Sequence, residues 1–230
     1  MKYIALAAVV SVLSACSGTI TPTSKLENKA DTTSYAIGVN VGTSFKSQEL
    51  EINMESFVAG LIDAMDKDTA KVKLTEEQLQ AAFAALQQEM MDKQMAKMED
   101  MKKENQTKSD TFFKENAKKA GVKTTASGLQ YRVISEGKGR KPVPTSDVKV
   151  HYKGSLLDGT VFDSSYDRGE PAEFKLNAVI PGWTEALQLM TVGSKYEIYI
   201  PAELAYGDQG NQVIPPGAAL IFEVELLEVK

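Results

Sequence analysis

The sequence predicts an α+β chain: an N-terminal all-helical arm with a long connecting helix, then a curved antiparallel β-sheet wrapped on one short helix. Three observations predict it. Residues from about Asp31 to Ala120 are rich in Ala, Met, Gln, Glu and Lys, which lose little on entering a helix. Residues from Gly121 onward hold every proline except Pro22, most of the glycines and most of the alternating β-branched runs. Within that second half a single segment, Trp183 to Met190, has helical spacing, with Trp183, Leu187 and Met190 on one face.

Composition narrows the function. The chain has 230 residues, 43% of them apolar, and a formal net charge of −5. A packed core is therefore within reach, and the mild acidity argues against a protein that coats nucleic acid. Lys138, Arg140, Lys141, Lys149 and Lys153 read as a solvated face. There is one cysteine, Cys16, and one histidine, His151. No disulfide can form within the chain, and a zinc site of several His and Cys ligands is excluded, so no metal site is expected. A Ser–His–Asp triad would need His151, which lies in a strand-like run with no nucleophile motif nearby.

The first residues read as an address. Met1-Lys2 is a basic start, and Tyr3 to Val12 is an apolar run too short to span a bilayer as a stable helix. Leu13-Ser14-Ala15-Cys16 then looks like a bacterial lipoprotein box, with cleavage before Cys16 and lipid on its sulfur. The division expected is 1–15 signal peptide, 16–30 lipidated tether, 31–120 helical dimerisation domain with its long linker helix, and 121–230 the sheet domain. By similarity to Gram-negative sorting rules, Ser17 after the cysteine implies an outer-membrane lipoprotein facing the periplasm or the cell surface.

In the arm, Phe57, Leu61, Ala64 and Met65 fall at helical spacing and predict one buried face. Thr75 as N-cap with Gln78 three residues on predicts a helix start. Leu79, Phe83, Leu86 and Met90, then Met91, Met95 and Met98, form an apolar seam ending near Met101. Lys102 to Asp110 has almost no apolar residue, so a helix through it is expected to be solvated on all sides. Gly121 is expected to end the helix as its C′ residue. Tyr35 to Phe45 stays open, alternating like a strand yet carrying an N-cap serine and an i, i+4 apolar pair. An arm with a seam and no core of its own needs a partner, most economically a second copy, giving a homodimer. The methionines suit either packing or a client-holding surface.

In the second half, Leu129 to Ile134 begins the sheet. Val148, Val150 and Tyr152 alternate, Asp158-Gly159 marks a tight turn, Tyr196, Ile198 and Ile200 alternate again, and Leu220 to Leu226 forms the last strand.

Five ordered motifs in this half carry a resemblance: Val150-His151-Tyr152-Lys153-Gly154, Asp158-Gly159-Thr160-Val161-Phe162-Asp163-Ser164-Ser165, Val179-Ile180-Pro181-Gly182-Trp183, Ala205-Tyr206-Gly207, and Ile214-Pro215-Pro216 with Phe222 beyond. They resemble the FKBP-type peptidyl-prolyl cis–trans isomerases. Asp31 to Gly38, Ser127 to Tyr131 and Ile180 to Met190 are similar to the macrophage-infectivity-potentiator branch, whose helical dimerisation arm precedes the isomerase domain. That similarity implies a helix at Tyr35 to Phe45.

The resemblance implies a pocket with Trp183 as floor and Tyr152, Phe162, Val179, Ile180 and Phe222 as walls. Tyr206 and the Ile180 N–H would hold substrate carbonyls, Asp163 would sit at the rim, Arg168 would orient Asp163 or Tyr152, and Ile214 would lie on a flap. Phe174, Leu187 and Leu220 read as core packing. Ala172 stands where the family often carries an aromatic, and Asn211 near where some members carry histidine. No cofactor is implied. The implied partners are proline-containing unfolded or partly folded proteins, with macrolide inhibitors fitting the same pocket. The alternative is a lipid-anchored holdase chaperone or surface virulence factor with little isomerase activity.

Overall fold

The computed structural model describes residues 25–230; the signal segment, Cys16 and the tether through residue 24 lie outside the described residues. Two compact units divide the chain, the first ending at Glu77 and the second spanning Gln78–Lys230. No helix among the described residues is long and apolar enough to cross a membrane.

The first unit holds helix α1, Lys29–Ser47, and helix α2, Met54–Met65. A capping box starts α1: the Asn28 side chain accepts from the Asp31 N–H at 3.0 Å, and the Asp31 carboxylate accepts from the Asn28 N–H at 3.3 Å. The cap and the absence of any partner strand in the described part of this unit decide Tyr35 to Phe45 for helix. Phe45 meets Phe57 edge-on at 5.4 Å. Neither helix contains a buried residue. The face expected to be buried is open in the single chain, with Phe57 36%, Leu61 52% and Met65 79% exposed. Among the described residues of this unit, the two helices leave that face uncovered.

Helix α3, Glu76–Asn116, runs without a break for 41 residues, well past Met101. Composition leads one to expect the polar stretch from Lys102 to be solvated on all sides, and it is not. One side of it lies on the sheet domain through hydrogen-bond donors, while Lys103, Glu104, Thr107, Lys108 and Asp110 stay exposed on the other. Asn105 Nδ2 donates to the Pro216 carbonyl at 2.8 Å. Asn116, fully buried, donates to Gln130 Oε1 at 2.9 Å, and Gln130 Nε2 donates to the Phe113 carbonyl at 2.9 Å. That buried pair fixes where the helix stops. Gly121, at φ +82°, follows after an intervening turn rather than capping the helix directly.

Seven strands follow: β1 Val122–Thr124, β2 Gln130–Ser135, β3 Asp147–Leu156, β4 Val161–Ser164, β5 Ala172–Lys175, β6 Lys195–Ile200 and β7 Leu220–Val229. A four-residue helix α4, Ser165–Arg168, sits between β4 and β5, and helix α5, Pro181–Leu189, between β5 and β6. The sheet is antiparallel in the order β1-β2-β6-β7-β3-β4, with β5 also paired to β3. Gly159, at φ +87°, turns β3 into β4 where the Asp-Gly signal stands. The alternation read from the sequence is the burial pattern: Val148, Val150, Tyr152, Ile198, Ile200, Leu220, Phe222 and Val224 all point into one core with Trp183, Ala186 and Leu187 of α5.

Strand β3 has β5 beside its first half and β4 beside its second. Where those partners diverge, the Ser165 hydroxyl takes over the ladder. It accepts from the Tyr152 N–H at 2.8 Å and lies 3.2 Å from the Tyr152 carbonyl as donor.

Helix α5 lies close on β6 because Gly182 has no side chain; a Cβ there would sit 2.4 Å from Ile200 Cγ2. Gly182→Ala is expected to destabilise the fold by about 1–3 kcal/mol through overpacking. Urea denaturation checks this, with a lower midpoint at unchanged slope as the expected result and an unchanged midpoint as the contrary one.

Candidate functional site

Between α5 and the concave face of the sheet lies a cavity of about 470 Å³, within the size range of small-ligand sites. Its lining is Tyr152 from β3, Phe162 and Asp163 from β4, Phe174 from β5, Ala178, Val179 and Ile180 ahead of α5, Trp183 from α5, Tyr206 after β6, and Phe222 from β7.

Trp183 is 4% exposed and forms the base of the cavity. Its indole meets Tyr152, Phe222 and Phe174 at 5.1, 5.2 and 5.6 Å, with the rings 84–90° apart. Among the described residues, its buried Nε1 has no hydrogen-bond partner. Phe162 and Phe222 meet edge-on at 5.5 Å, above a position that only glycine can fill. A Cβ on Gly154 would come within 2.7 Å of both rings.

The rim is polar. The Tyr152 hydroxyl and the Arg168 guanidinium both bond the Asp163 carboxylate, and Arg168 also donates to the Tyr152 hydroxyl at 3.0 Å. Burial works to raise the Asp163 pKa, but the Tyr152 hydroxyl and Arg168 outweigh it and hold the carboxyl below the ordinary carboxylate range. Burial, with the neighbouring Asp163, pushes the Tyr152 phenol up. Asp163 is therefore a carboxylate and Tyr152 a neutral donor at neutral pH. The Ile180 N–H donates to no described backbone group, and Tyr206 is 41% exposed at the cavity mouth.

Seven side chains expected as catalytic, Tyr152, Phe162, Asp163, Ile180, Trp183, Tyr206 and Phe222, line this one cavity together with Val179. Arg168 is not part of the lining; it donates hydrogen bonds to Asp163 and Tyr152. Ile214 is placed differently from the expectation. It is 2% exposed, packed into the core beneath its loop, and is not among the lining residues. An isoleucine gains more from that apolar interior than from an open flap. Phe174, read as core, packs against the core and also lines the cavity. The signal for it was present: Phe174 is two residues beyond Ala172, so both share one face of β5. Phe174 supplies a ring beside the position where Ala172 lacks one. Ala178, which stands just before a motif, and the ladder role of Ser165, which stands inside one, had no sequence signal of their own.

Comparisons with known proteins agree with this geometry. Residues 138–227 match the family model described as FKBP-type peptidyl-prolyl cis-trans isomerase, and residues 30–133 match the domain amino terminal to FKBP-type peptidyl-prolyl isomerase. The FKBP-type peptidyl-prolyl cis-trans isomerase FkpA of Aeromonas hydrophila is 44% identical over 216 residues, covering 91% of this chain and 80% of that protein. The outer membrane protein MIP of Legionella longbeachae is 40% identical over 225 residues, covering 97% and 96%. The crystal structure of FkpA from Escherichia coli superimposes with a TM-score of 0.77 at 39% identity, covering 90% of this chain and 99% of that one.

The rim sets a pH dependence. The folded pKa of Asp163 lies below its unfolded value of about 3.9, so its stabilising effect is complete above that pH and is lost as pH falls through the folded pKa. The difference in melting temperature between the intact chain and Asp163→Asn is expected to be constant from about pH 5 to 8 and to shrink below about pH 4. Thermal denaturation across pH checks this; a difference that titrates between about pH 5 and 7 would contradict it.

Proposed function

This chain belongs to the FKBP-type peptidyl-prolyl cis–trans isomerases, and we propose that its cavity speeds rotation about X–Pro bonds by desolvation, positioning and the field of one rim carboxylate, without covalent chemistry. The observation that carries the mechanism is a cavity floored by an indole and walled by phenylalanine rings, with its polar groups confined to the rim and mouth. Amide resonance gives the X–Pro bond a barrier of roughly 18–20 kcal/mol and puts negative charge on its carbonyl oxygen. Twisting withdraws that charge. Removing water from the oxygen raises the planar amide by about 1–3 kcal/mol, worth about ten- to a hundredfold in rate, while the twisted amide loses little. The proline ring rests on Trp183 against the contacting pair Phe162 and Phe222. The Ile180 N–H and the Tyr206 hydroxyl hold carbonyls flanking the rotating bond, so that its two sides turn against fixed partners. The Asp163 carboxylate, fixed by Tyr152 and Arg168, stands beside the amide and disfavours charge on the planar oxygen. No nucleophile or exchangeable proton is required.

The arm has a second role in this reading. The exposed Tyr35, Ile37, Val39, Leu61 and Met65 of α1 and α2 are apolar surface that the single chain leaves bare, and a second copy of the arm is the partner that would cover it. Such a dimer would let the arms hold unfolded clients near the isomerase sites. Lipid on Cys16 would keep it at the outer membrane, on the periplasmic or outer side; the sequence of residues 1–16 supports this, as does the name of the Legionella longbeachae relative. Macrolides that fill the cavity would act as inhibitors.

A protease-coupled assay with a proline tetrapeptide tests the mechanism. Phe162→Ala is expected to lower kcat/KM by about ten- to a hundredfold, and Asp163→Asn by about tenfold. A rate for the intact chain equal to that of buffer alone would end the reading. For the arm, Ile37→Glu with Leu61→Glu is expected to give monomers in sedimentation equilibrium, to weaken suppression of client aggregation and to leave tetrapeptide turnover unchanged. Dimers that persist in this double variant would exclude the surface. In cell fractionation Cys16→Ser is expected to move the protein from the membrane to the soluble fraction, and retention on the membrane would refute the anchor.

A further inference from the structure

The segment from Tyr206 to Gly217 leaves the cavity mouth after β6 and returns to start β7. Its base is closed by the Gly217 N–H donating to the Gly207 carbonyl at 3.0 Å. Its tip is closed by the Val213 and Ile214 N–H groups donating to Asn211 Oδ1 at 2.9 and 2.8 Å. Ile214 pins the underside to the core, and Tyr206 is the segment's contribution to the cavity lining.

Helix α3 grips the same segment from outside, on both legs. Lys102 Nζ lies 2.7 Å from Asp208 Oδ2, two residues after Tyr206, and Gln106 Nε2 reaches Asp208 Oδ1 at 3.5 Å. On the returning leg Asn105 Nδ2 donates to the Pro216 carbonyl at 2.8 Å. The backbones themselves come close, since a Cβ at Gly217 would sit 3.1 Å from the Lys102 carbonyl oxygen. These contacts lie within the second unit and touch no lining residue directly.

We propose that Lys102 and Asn105 are positioning residues of the isomerase site: by clamping the two legs of the Tyr206–Gly217 loop to α3, they hold Tyr206 over the cavity. This rests on the isomerase reading and extends it. Tyr206 is half exposed and offers a donor to a substrate carbonyl, so its value depends on being held in place before substrate arrives. A loosened loop places the donor correctly only part of the time, and apparent affinity falls by that fraction. The desolvating floor is untouched, so the rotation step itself changes little.

Lys102→Ala and Asn105→Ala both favour helix at least as well as the native residues, so neither weakens α3 as an element. The pair together in the full chain is expected to raise the tetrapeptide KM by about fivefold with kcat within about twofold. Amide exchange across residues 207–217 is expected to quicken, while that of β3 and β7 stays the same. Lys102→Arg is expected to restore KM where Lys102→Ala does not. The exchanged pair Lys102→Asp with Asp208→Lys is expected to recover what either change alone loses. Unchanged exchange in the loop overturns the proposal whether or not the chain turns over peptide. A fall in kcat with KM unchanged also overturns it, because it would place the effect in the chemistry. An intact chain that accelerates nothing overturns the isomerase reading instead, and the exchange measurement still decides the clamp.

Discussion

The Trp183 indole stands at the start of α5 with three rings meeting it edge-on, Tyr152 from β3, Phe174 from β5 and Phe222 from β7. Each such pair is worth about 0.5–1.5 kcal/mol beyond the area it buries, and together they tie the helix to three separate strands. Two glycines make this possible. Gly182 lets α5 approach β6, and Gly154 leaves room in β3 for Phe162 and Phe222 to lean together. The result is a hollow that is apolar because it is built from ring edges and faces, and that stays open because those rings brace one another. The price of this packing is a buried indole N–H with no partner. The floor presents aromatic surface to a proline ring.

The polar groups are kept to the edge by a different device. Tyr152 faces two ways, its ring against Trp183 and its hydroxyl on Asp163. Its backbone is fixed by Ser165, which bonds both the Tyr152 N–H and carbonyl at the gap between β4 and β5. The same short run, Asp163-Ser164-Ser165, so provides the rim carboxylate and the hydroxyl that aims its partner. Arg168, three residues on in α4, closes the set by reaching Asp163 and Tyr152 from the solvent side. A carboxylate held by two fixed donors keeps its charge and its position, which is what an electrostatic role beside a rotating amide requires.

How much of this was legible in the sequence depends on whether the deciding contact was periodic. The strands of the core declared themselves through alternation, because one side of every strand faces the same interior. The cavity declared itself through motif resemblance, and eight of its ten lining residues stood in the expected set. The share of Phe174 in the lining is not legible, because a ring that faces a cavity and a ring that faces a core have the same pattern. Ile214 was misplaced because loop position does not reveal which way a side chain turns. In the arm the pattern stops short in a different way: helical spacing in α2 reports that a face is apolar, and says nothing of whether that face is covered within the single chain or by a partner.

The polar half of α3 shows the same limit from the other side. Composition marks Lys102 to Asp110 as a helix that water should surround, yet Asn105, Asn116 and Gln130 make a docked interface out of hydrogen bonds. Such an interface is weaker than an apolar one. A part-buried amide hydrogen bond nets about 1 kcal/mol. The Lys102–Asp208 pair, with side chains 24% and 57% exposed, is further screened by solvent. Swinging a loop from closed to open as a switch needs about 5.5 kcal/mol of difference between the states. The contacts from α3 fall well short of that. A helix that grips the loop this lightly can tune how often Tyr206 is in place, and cannot gate the cavity; the site stays competent without the arm's consent, and the arm adjusts its affinity.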